Sequence, residues 1–259
     1  MDLGIAGRKA IVCASSQGLG LACASALARE GCHVVINGRE PGRLAEAATA
    51  IEQATRRRPT TVAADIETED GRKRLVEACP EADILVNNNR GPMPGAFVDF
   101  GVDDWLAAVG ANMLAPLMMI RALLPGMRAR RFGRIVNITS AMVKSPRPSM
   151  ELSTAARAGL TAASKAISLS AAQDNVTINN LLPERIDTDR QRFMTERMMK
   201  SLGIGWDEAR RRIADQLPAK RFGTPAEFGD ACAFLCSAQA GFITGQNLQL
   251  DGGGYHGLV

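Results

Sequence analysis

The sequence predicts an α/β fold in which a doubly wound parallel sheet of about seven strands is flanked by helices. Short apolar runs alternate with longer amphipathic runs, which is the pattern of parallel strands joined by crossover helices. A glycine turn, Gly18-Leu19-Gly20, follows the first apolar run and opens the first predicted helix. The length of 259 residues favours one domain spanning 1–259.

Each element follows from a local pattern. Apolar and β-branched runs predict strands at 9–13, 33–36, 61–64, 84–86, 135–138, 177–182 and 247–250. Helical periodicity predicts helices at 18–30, 41–57, 69–78, 102–130, 153–173 and 225–237. Residues 187–221, rich in methionine and arginine, interrupt the alternation. Long insertions in such folds commonly cover the strand ends, so we expect a substrate lid at about 187–221; a pair of surface helices is the alternative.

Composition excludes several classes of protein. The net charge is only +4, the basic runs at 56–58, 128–131 and 210–212 are scattered, and aromatic residues make up 4% of the chain, so no nucleic-acid partner is expected. The six cysteines form no C-x-x-C pair, which argues against a metal site or a disulfide framework and favours the reducing cytoplasm. No apolar stretch approaches the roughly 18 residues of a membrane span, and no targeting segment is expected.

The turn after the first strand is the expected phosphate-binding element. Glycines there let backbone amides approach a pyrophosphate at the positive end of the following helix. Alanine disfavours a positive φ, so we expect Ala14 to adopt a negative φ and to reshape the turn. The cofactor-binding residues expected in this segment are Ser15, Gln17, Gly18, Leu19 and Gly20.

Further motifs follow in a fixed order, at 65–66, 83–88, Asn112, 134–140, 183–188, 243–246 and 251–253. With them, the chain resembles the short-chain dehydrogenase/reductase family over nearly its whole length. Its segment layout is most similar to the 3-oxoacyl-(acyl-carrier-protein) reductase branch. The resemblance implies a Rossmann-type fold, a nicotinamide cofactor, and a homo-oligomer, a tetramer or a dimer.

The resemblance also implies where the cofactor lies. Asp65 and Ile66 are expected near the adenine and Asn88 near the ribose. The segment that begins at Pro183 is expected to bring Ile186 and Thr188 to the nicotinamide amide.

The end of the second strand indicates which cofactor is bound. An acidic side chain there would hold the ribose of NAD, but the sequence is Ile36-Asn37-Gly38-Arg39. A guanidinium grips a phosphate bidentately, so Arg39 favours NADP, with NAD less expected.

The catalytic pattern of the family is broken in this chain. Related enzymes use a tyrosine four residues before a lysine, together with a serine and a relay asparagine, which correspond here to Ser140 and Asn112. The single tyrosine, Tyr255, lies near the C-terminus. The interval from Ser140 to Ser153 equals the family's usual interval from serine to tyrosine, and the interval from Arg157 to Pro183 equals its usual interval from lysine to proline. Ser153 and Arg157 are therefore expected at the tyrosine and lysine positions. A rival register, which needs a compensating insertion and deletion, would put Thr161 and Lys165 there.

This replacement changes the available chemistry. A serine hydroxyl is a far weaker acid than a phenol, and an arginine does not titrate as a relay. Arg157 can still supply fixed positive charge. Lys144, and Tyr255 if it reaches in from a neighbouring subunit, remain open as relocated proton donors. Arg90 and Glu184, both unusual for the family, either pair across the pocket or point to solvent.

Three functional hypotheses result. The first is a divergent NADP-dependent oxidoreductase that interconverts a carbonyl and an alcohol of a small-molecule substrate. The second is a catalytically impaired nucleotide-binding or structural protein, which the loss of tyrosine and lysine favours. The third is a non-redox lyase that uses the same pocket with Arg157 as the polarising group.

Overall fold

The structure, a computed structural model, describes residues 2–258 and contains one seven-stranded parallel sheet. Its strands are β1 (Lys9–Val12), β2 (His33–Gly38), β3 (Thr60–Ala63), β4 (Ile84–Asn87), β5 (Gly133–Ile138), β6 (Val176–Pro183) and β7 (Asn247–Leu250). Their order in the sheet is β3-β2-β1-β4-β5-β6-β7. The chain therefore winds outwards in both directions from β1 and β4, and the predicted fold class is confirmed.

Nine α-helices are described. They are α1 (Gly18–Arg29), α2 (Pro41–Thr55), α3 (Glu69–Ala78), α4 (Val102–Val109), α5 (Ala115–Ala129), α6 (Glu151–Ala171), α7 (Asp189–Leu202), α8 (Trp206–Asp215) and α9 (Pro225–Cys236). One apolar cluster packs α1, α2 and α9 against the sheet, and a second packs α3, α5 and α6 against the other face. Both faces of the strands are thus covered, as a parallel sheet requires.

The long helix predicted at 102–130 is interrupted in a specific way. The chain stays helical from Val102 to Ala129, but the turn Gly110–Leu114 is a π-helix between α4 and α5. Such a turn widens the helix by one residue and is common at functional sites. By length and composition, residues 102–129 could cross a membrane. In this fold, α5 instead packs against β4, β5 and α6 as a core helix.

The insertion at 187–221 consists of the two helices α7 and α8. Arg210 of α8 donates two hydrogen bonds to the carboxylate of Asp187, at 2.9 and 3.1 Å, which ties the second helix to the start of the first. The two helices pack against each other, and Ala209 and Ile213 of α8 are buried. The first helix faces the ends of the strands, as described below.

The expectation for Ala14 is wrong. Its φ is +44°, in the left-handed region that glycine prefers. Two asparagines hold this conformation: the Ala14 amide donates to Oδ1 of Asn37 at 3.2 Å, and Nδ2 of Asn88 donates to the Ala14 carbonyl at 3.0 Å. The turn thus keeps the shape a glycine would give it, at a strain of order 1–2 kcal/mol.

Candidate active site

A cavity of about 760 Å³ opens at the carboxyl ends of the strands, around the point where the chain reverses its winding direction. This is where open α/β sheets bind ligands, and the volume suits a cofactor together with a substrate. The residues expected from the sequence that line it are Gln17, Gly18, Leu19, Arg39, Asp65, Ile66, Asn88, Ser140, Ser153, Arg157, Pro183, Ile186 and Thr188.

Three of the expected site residues lie behind the wall instead. Ser15 is fully buried; its hydroxyl donates to the Val12 carbonyl at 2.7 Å and accepts from the Asn37 amide at 3.0 Å. A Cβ on Gly20 would lie 2.5 Å from the Ala14 carbonyl oxygen, so the turn packs directly on this glycine. Ser15 and Gly20 shape the turn from within, and Asn112, the third, is buried beside the π turn.

The start of α1 fits a dinucleotide phosphate. Gln17 precedes the helix without making a side-chain cap, which leaves the first backbone N–H groups open. Gly18 has a φ of +58°, and a Cβ there would meet nothing nearer than Thr188 Cγ2 at 4.0 Å. An open, uncapped helix start that faces the cavity is suited to an anion because the helix dipole is positive there.

Arginines stand at the end of the cavity beside β2. The Arg39 guanidinium is 61% exposed and lies 3.9 Å from the carboxylate of Asp65. Arg43 pairs with Glu40 at 3.0 Å and donates to Gln17 at 3.2 Å. Both arginines line the cavity, so a phosphate on the adenosine ribose would meet two guanidinium groups.

At the other end, Arg157 of α6 is buried beside Ser153. Its Nε donates to the Ser153 hydroxyl at 3.3 Å, and its Nη atoms donate to the carbonyls of Ile138 at 2.7 Å and Asn89 at 3.4 Å. Burial first, and the charge of Arg190 second, lower the pKa of the Arg157 guanidinium to about 10. It therefore carries a full positive charge at neutral pH.

Ser140 and Asn112 flank this pair. The Ser140 oxygen accepts from the Met142 amide at 3.2 Å, which leaves the hydroxyl proton available to a ligand. Asn112 Nδ2 donates to the Arg90 carbonyl at 3.3 Å. Its Oδ1 is buried with no hydrogen-bond partner among residues 2–258. A buried acceptor of this kind calls for a water molecule or a ligand donor.

The rival register does not reach the cavity. Thr161 donates to the Arg157 carbonyl at 2.8 Å inside α6, and Lys165 donates to the Gly245 carbonyl at 3.2 Å. Neither lines the cavity, whereas Ser153 and Arg157 do. The intervals in the sequence therefore identified the residues that the fold brings to the pocket.

The pairing considered for Arg90 and Glu184 is not formed. The Glu184 carboxylate is nearly buried and forms ion pairs with Arg147 at 2.8 Å and with Arg185 at 3.4 Å. These two arginines neutralise its charge. Arg90 is exposed at the cavity wall.

Within one chain, both candidate proton donors lie outside the cavity, and the approach of Tyr255 from a neighbouring subunit stays a prediction. The Lys144 ammonium stands 5.2 Å from the centre of the Tyr255 ring, and neither residue lines the cavity.

The sequence did not reveal much of the cavity wall around the catalytic end. Its apolar part consists of Met93, Met142, Met150, Phe193 and Met194. The last two belong to α7, and Arg190 of the same helix also faces the cavity, donating to the Pro92 carbonyl at 3.1 Å. The methionine and arginine content of the insertion was the signal for this surface, and it did not reveal which side chains turn inwards.

Comparison with known proteins agrees with this geometry. The profile of the family described as enoyl-(acyl carrier protein) reductase matches residues 13–256. The NADPH-dependent reductase BacG of Bacillus subtilis is 33% identical over 95% of this chain and 97% of its own length. The 3-oxoacyl-(acyl-carrier-protein) reductase FabG of Vibrio harveyi is 30% identical over 98% of this chain and 99% of its own length.

A solved structure also superposes on this fold. The L-sorbose reductase of Gluconobacter frateurii, complexed with NADPH and L-sorbose, superposes with a TM-score of 0.94, at 32% identity and over the whole of both chains. The expectation of NADP rather than NAD matches the cofactor named for this enzyme and for BacG. Matches of this identity and coverage, on a sheet of the expected order, show that the chain belongs to the short-chain dehydrogenase/reductase family.

Proposed function

We propose that this protein is an NADP-dependent oxidoreductase that interconverts a carbonyl and an alcohol, running as a reductase when NADPH is supplied. The observation that carries the proposal is that Ser140, Ser153 and Arg157 face the same cavity as the open start of α1. Two hydroxyl groups and a buried cation therefore lie in the same continuous pocket as a candidate phosphate site. When bound, NADPH supplies the hydride for the carbonyl carbon.

The choice of NADP rests on the arginines beside β2. Arg39 and Arg43 both line the cavity there. Arg39 lies 3.9 Å from the Asp65 carboxylate, beyond hydrogen-bonding distance, so its guanidinium keeps donors for a phosphate. The NADPH dependence named for BacG and the NADPH bound to L-sorbose reductase support the same choice.

Ser140, Ser153 and Arg157 handle the substrate oxygen in this proposal. Reduction makes that oxygen negative, and both serine hydroxyls have a proton to donate to it because each oxygen already accepts a hydrogen bond. The Arg157 cation stabilises the developing charge and makes the Ser153 O–H a stronger donor. The proton itself comes through Ser153 from water, since a serine is too weak an acid to keep the negative charge.

Asn112 serves this proton path as a positioning residue. Its unpartnered Oδ1 accepts a hydrogen bond from a water molecule, and the π turn directs the side chain towards the Arg90 carbonyl at the pocket floor. Helix α7 acts as the substrate lid, with Phe193 and Met194 covering the reacting end. The segment layout of 3-oxoacyl reductases makes a ketone the substrate to try first.

The test follows the transfer of hydride from NADPH to the substrate carbon. The protein is incubated with a panel of ketones and NADPH that carries deuterium at nicotinamide C4, and the alcohols are analysed by mass spectrometry. Deuterium on the carbinol carbon of any product supports the proposal. Binding of NADPH without deuterium transfer to any ketone favours the second candidate, a nucleotide-binding protein without catalysis, which the absence of a tyrosine and a lysine in this cavity supports.

A lyase acting through Arg157 remains the third candidate. It would release a new product from an alcohol or hydroxyacyl compound without any change in NADPH absorbance. Incubations in which hydroxyacyl compounds replace the ketones reveal it when product forms while the nucleotide stays reduced.

The setting proposed is a cytoplasmic homo-oligomer, a tetramer or a dimer. The six cysteines are all free and buried, which suits a reducing compartment. Phe97, Val98, Val102 and Leu106 are exposed on and before α4, and such a contiguous apolar surface is typical of an interface. Light scattering after size exclusion measures the assembly, and a monomeric mass would contradict the oligomer.

A further inference from the structure

Three arginines gather at the catalytic end of the cavity without an acidic partner. Arg90 follows β4, Arg157 lies on α6, and Arg190 lies on the first turn of α7; all three line the cavity. Within residues 2–258, no ion pair joins any of them to a carboxylate. The other arginines of the wall are all paired: Arg39 with Asp65, Arg43 with Glu40, and Arg185 with Glu184.

The acidic residues of the wall pair with other arginines instead of these three cations. Glu184 is held by Arg147 and Arg185, and the carboxylate of Asp189 lies 3.5 Å from Arg192 on the exposed side of α7. The carbonyls of Ile138, Asn89 and Pro92 that receive the Arg157 and Arg190 hydrogen bonds carry no net charge. Positive charge at this end is therefore hydrogen-bonded but not neutralised.

Repulsion between like charges makes this arrangement of arginines electrostatically unfavourable. Arg190 is half-buried, and burial first, then the charges of Arg90 and Arg197, lower the pKa of its guanidinium. Arg190 in turn lowers the pKa of Arg157. Buried charges are normally paired, so an unpaired group of cations facing a cavity indicates a site for an anionic ligand.

The phosphates of the cofactor do not account for these cations. Arg157 is anchored at the end of β5, whereas Arg39 and Arg43 follow β2. Three strand steps separate β2 from β5 in the sheet order, so the two ends lie roughly 14 Å apart at about 4.8 Å per step. The open start of α1, between them, provides the place for the pyrophosphate.

The rest of the wall at this end is apolar. Met93 Sδ lies 3.7 Å from Nη1 of Arg190, and the guanidinium carbon of Arg190 lies 5.7 Å from the centre of the Phe193 ring. Met142, Met150 and Met194 line the same cavity. Methionines adapt their shape to apolar groups of different outline. A ligand that satisfies both features carries one anionic group on an apolar carbon skeleton.

We infer that Arg90 and Arg190, backed by Arg157, form a carboxylate subsite, and that the substrate of this enzyme is an oxo acid with an apolar chain. The inference rests on the proposed reductase function. The reaction balances as oxo acid plus NADPH plus a proton giving hydroxy acid plus NADP⁺. The substrate carbon gains the hydride, and its oxygen gains the proton.

The first experiment compares charged oxo acids with their uncharged methyl esters. Phenylpyruvate, α-ketoisocaproate and acetoacetate are assayed with NADPH, each beside its methyl ester. We expect KM to be at least about tenfold lower for at least one acid than for its ester, since a charge-assisted hydrogen bond contributes about 1.5–3 kcal/mol. Esters that are reduced as well as the acids, with equal KM, would overturn the inference and leave the reductase function standing.

Arg190→Gln is the informative variant, and Arg192→Gln is its matched control. Arg192 lies two residues along α7, is 66% exposed, and does not line the cavity. We expect Arg190→Gln to raise the KM for the preferred acid about tenfold or more with kcat little changed. We expect Arg192→Gln to leave both constants unchanged. Equal KM values in the wild type and the Arg190 variant would contradict the subsite.

A binding measurement separates failure of the subsite from failure of the reductase function. The NADP⁺-loaded protein is titrated calorimetrically with phenylacetate and with phenylacetamide, which differ in charge but hardly in shape. Tighter binding of phenylacetate, lost in Arg190→Gln, supports the carboxylate subsite even if no ketone is reduced. Equal binding of the two, or binding of neither, counts against the subsite whatever the result of the reductase assay.

Discussion

The Arg157 guanidinium donates through Nε to the hydroxyl oxygen of Ser153 across 3.3 Å, one helical turn along α6. Two further donors of the same guanidinium bind the carbonyls of Ile138 and Asn89. The side chain is therefore fixed by backbone at the end of β5 and by the loop after β4. The intervals in the sequence assign this pair to the positions where the family has a tyrosine and a lysine, and we propose that it offers a polarised hydroxyl and a fixed charge in their place.

Removing the Ser153 hydroxyl should slow the chemistry without weakening cofactor binding. Loss of general-acid assistance typically costs about 10²- to 10⁴-fold in rate, and we expect Ser153→Ala to lower kcat about 10²-fold, because Ser140 still donates to the substrate oxygen. The NADPH dissociation constant should not change. Thr154→Ala removes a neighbouring hydroxyl that does not line the cavity and should keep wild-type kcat. A wild-type kcat in Ser153→Ala would refute the role.

The pH dependence of kcat should be flat around neutrality. Histidine and cysteine are the side chains whose ordinary pKa values lie nearest neutrality, and within residues 2–258 neither residue type lines the cavity. The Arg157 pKa of about 10 means that the cation persists below this pH and is lost above it. As pH rises through that value, Ser153 loses its polarising partner and kcat should fall.

Arg157→Lys provides the matched variant for this profile. A buried lysine loses its proton at lower pH than a buried arginine, so the fall in kcat should move to lower pH. An inflection between about pH 6 and pH 9 in the wild-type profile would point to an unidentified titrating donor instead.

The turn before α1 gives a prediction about stability. Ala14 has a φ of +44°, and glycine adopts this conformation without steric cost. We expect Ala14→Gly to raise the free energy of unfolding by about 1 kcal/mol, measured by urea denaturation. The same substitution at the exposed Ala50 in α2 should lower it by about 1 kcal/mol, because glycine weakens a helix interior. A loss of stability in Ala14→Gly would mean that the turn is not strained.

Much of the fold was predictable because its signals are local. Residues 84–86 are Ile-Leu-Val, and residues 135–138 are Ile-Val-Asn-Ile, apolar except for Asn137, as is typical of strands buried on both faces. The positions of Ser153 and Arg157 were also predictable, since the intervals to Ser140 and Pro183 are fixed by the elements between them. Local patterns thus gave the strands, most helices and the two unusual residues.

What escaped prediction depends on contacts between distant parts of the chain. The φ of Ala14 is set by Asn37, near the end of β2, and by Asn88, which follows β4. The partners of Glu184 are Arg147, from the loop after β5, and the adjacent Arg185, rather than Arg90. The π turn at Gly110–Leu114 leaves helical periodicity almost unchanged, so nothing in the sequence distinguishes it from an α-helix.

The most direct test of the NADP-dependent account is a calorimetric titration of the protein with NADPH and, separately, with NADH. We run Arg39→Ala beside the wild type, with Arg74→Ala, an exposed arginine of α3, as the control. The account predicts NADPH binding in the micromolar range, weaker NADH binding, and a loss of about tenfold in NADPH affinity in Arg39→Ala only, because one charge-assisted phosphate contact is removed. Absence of heat with either nucleotide would contradict it.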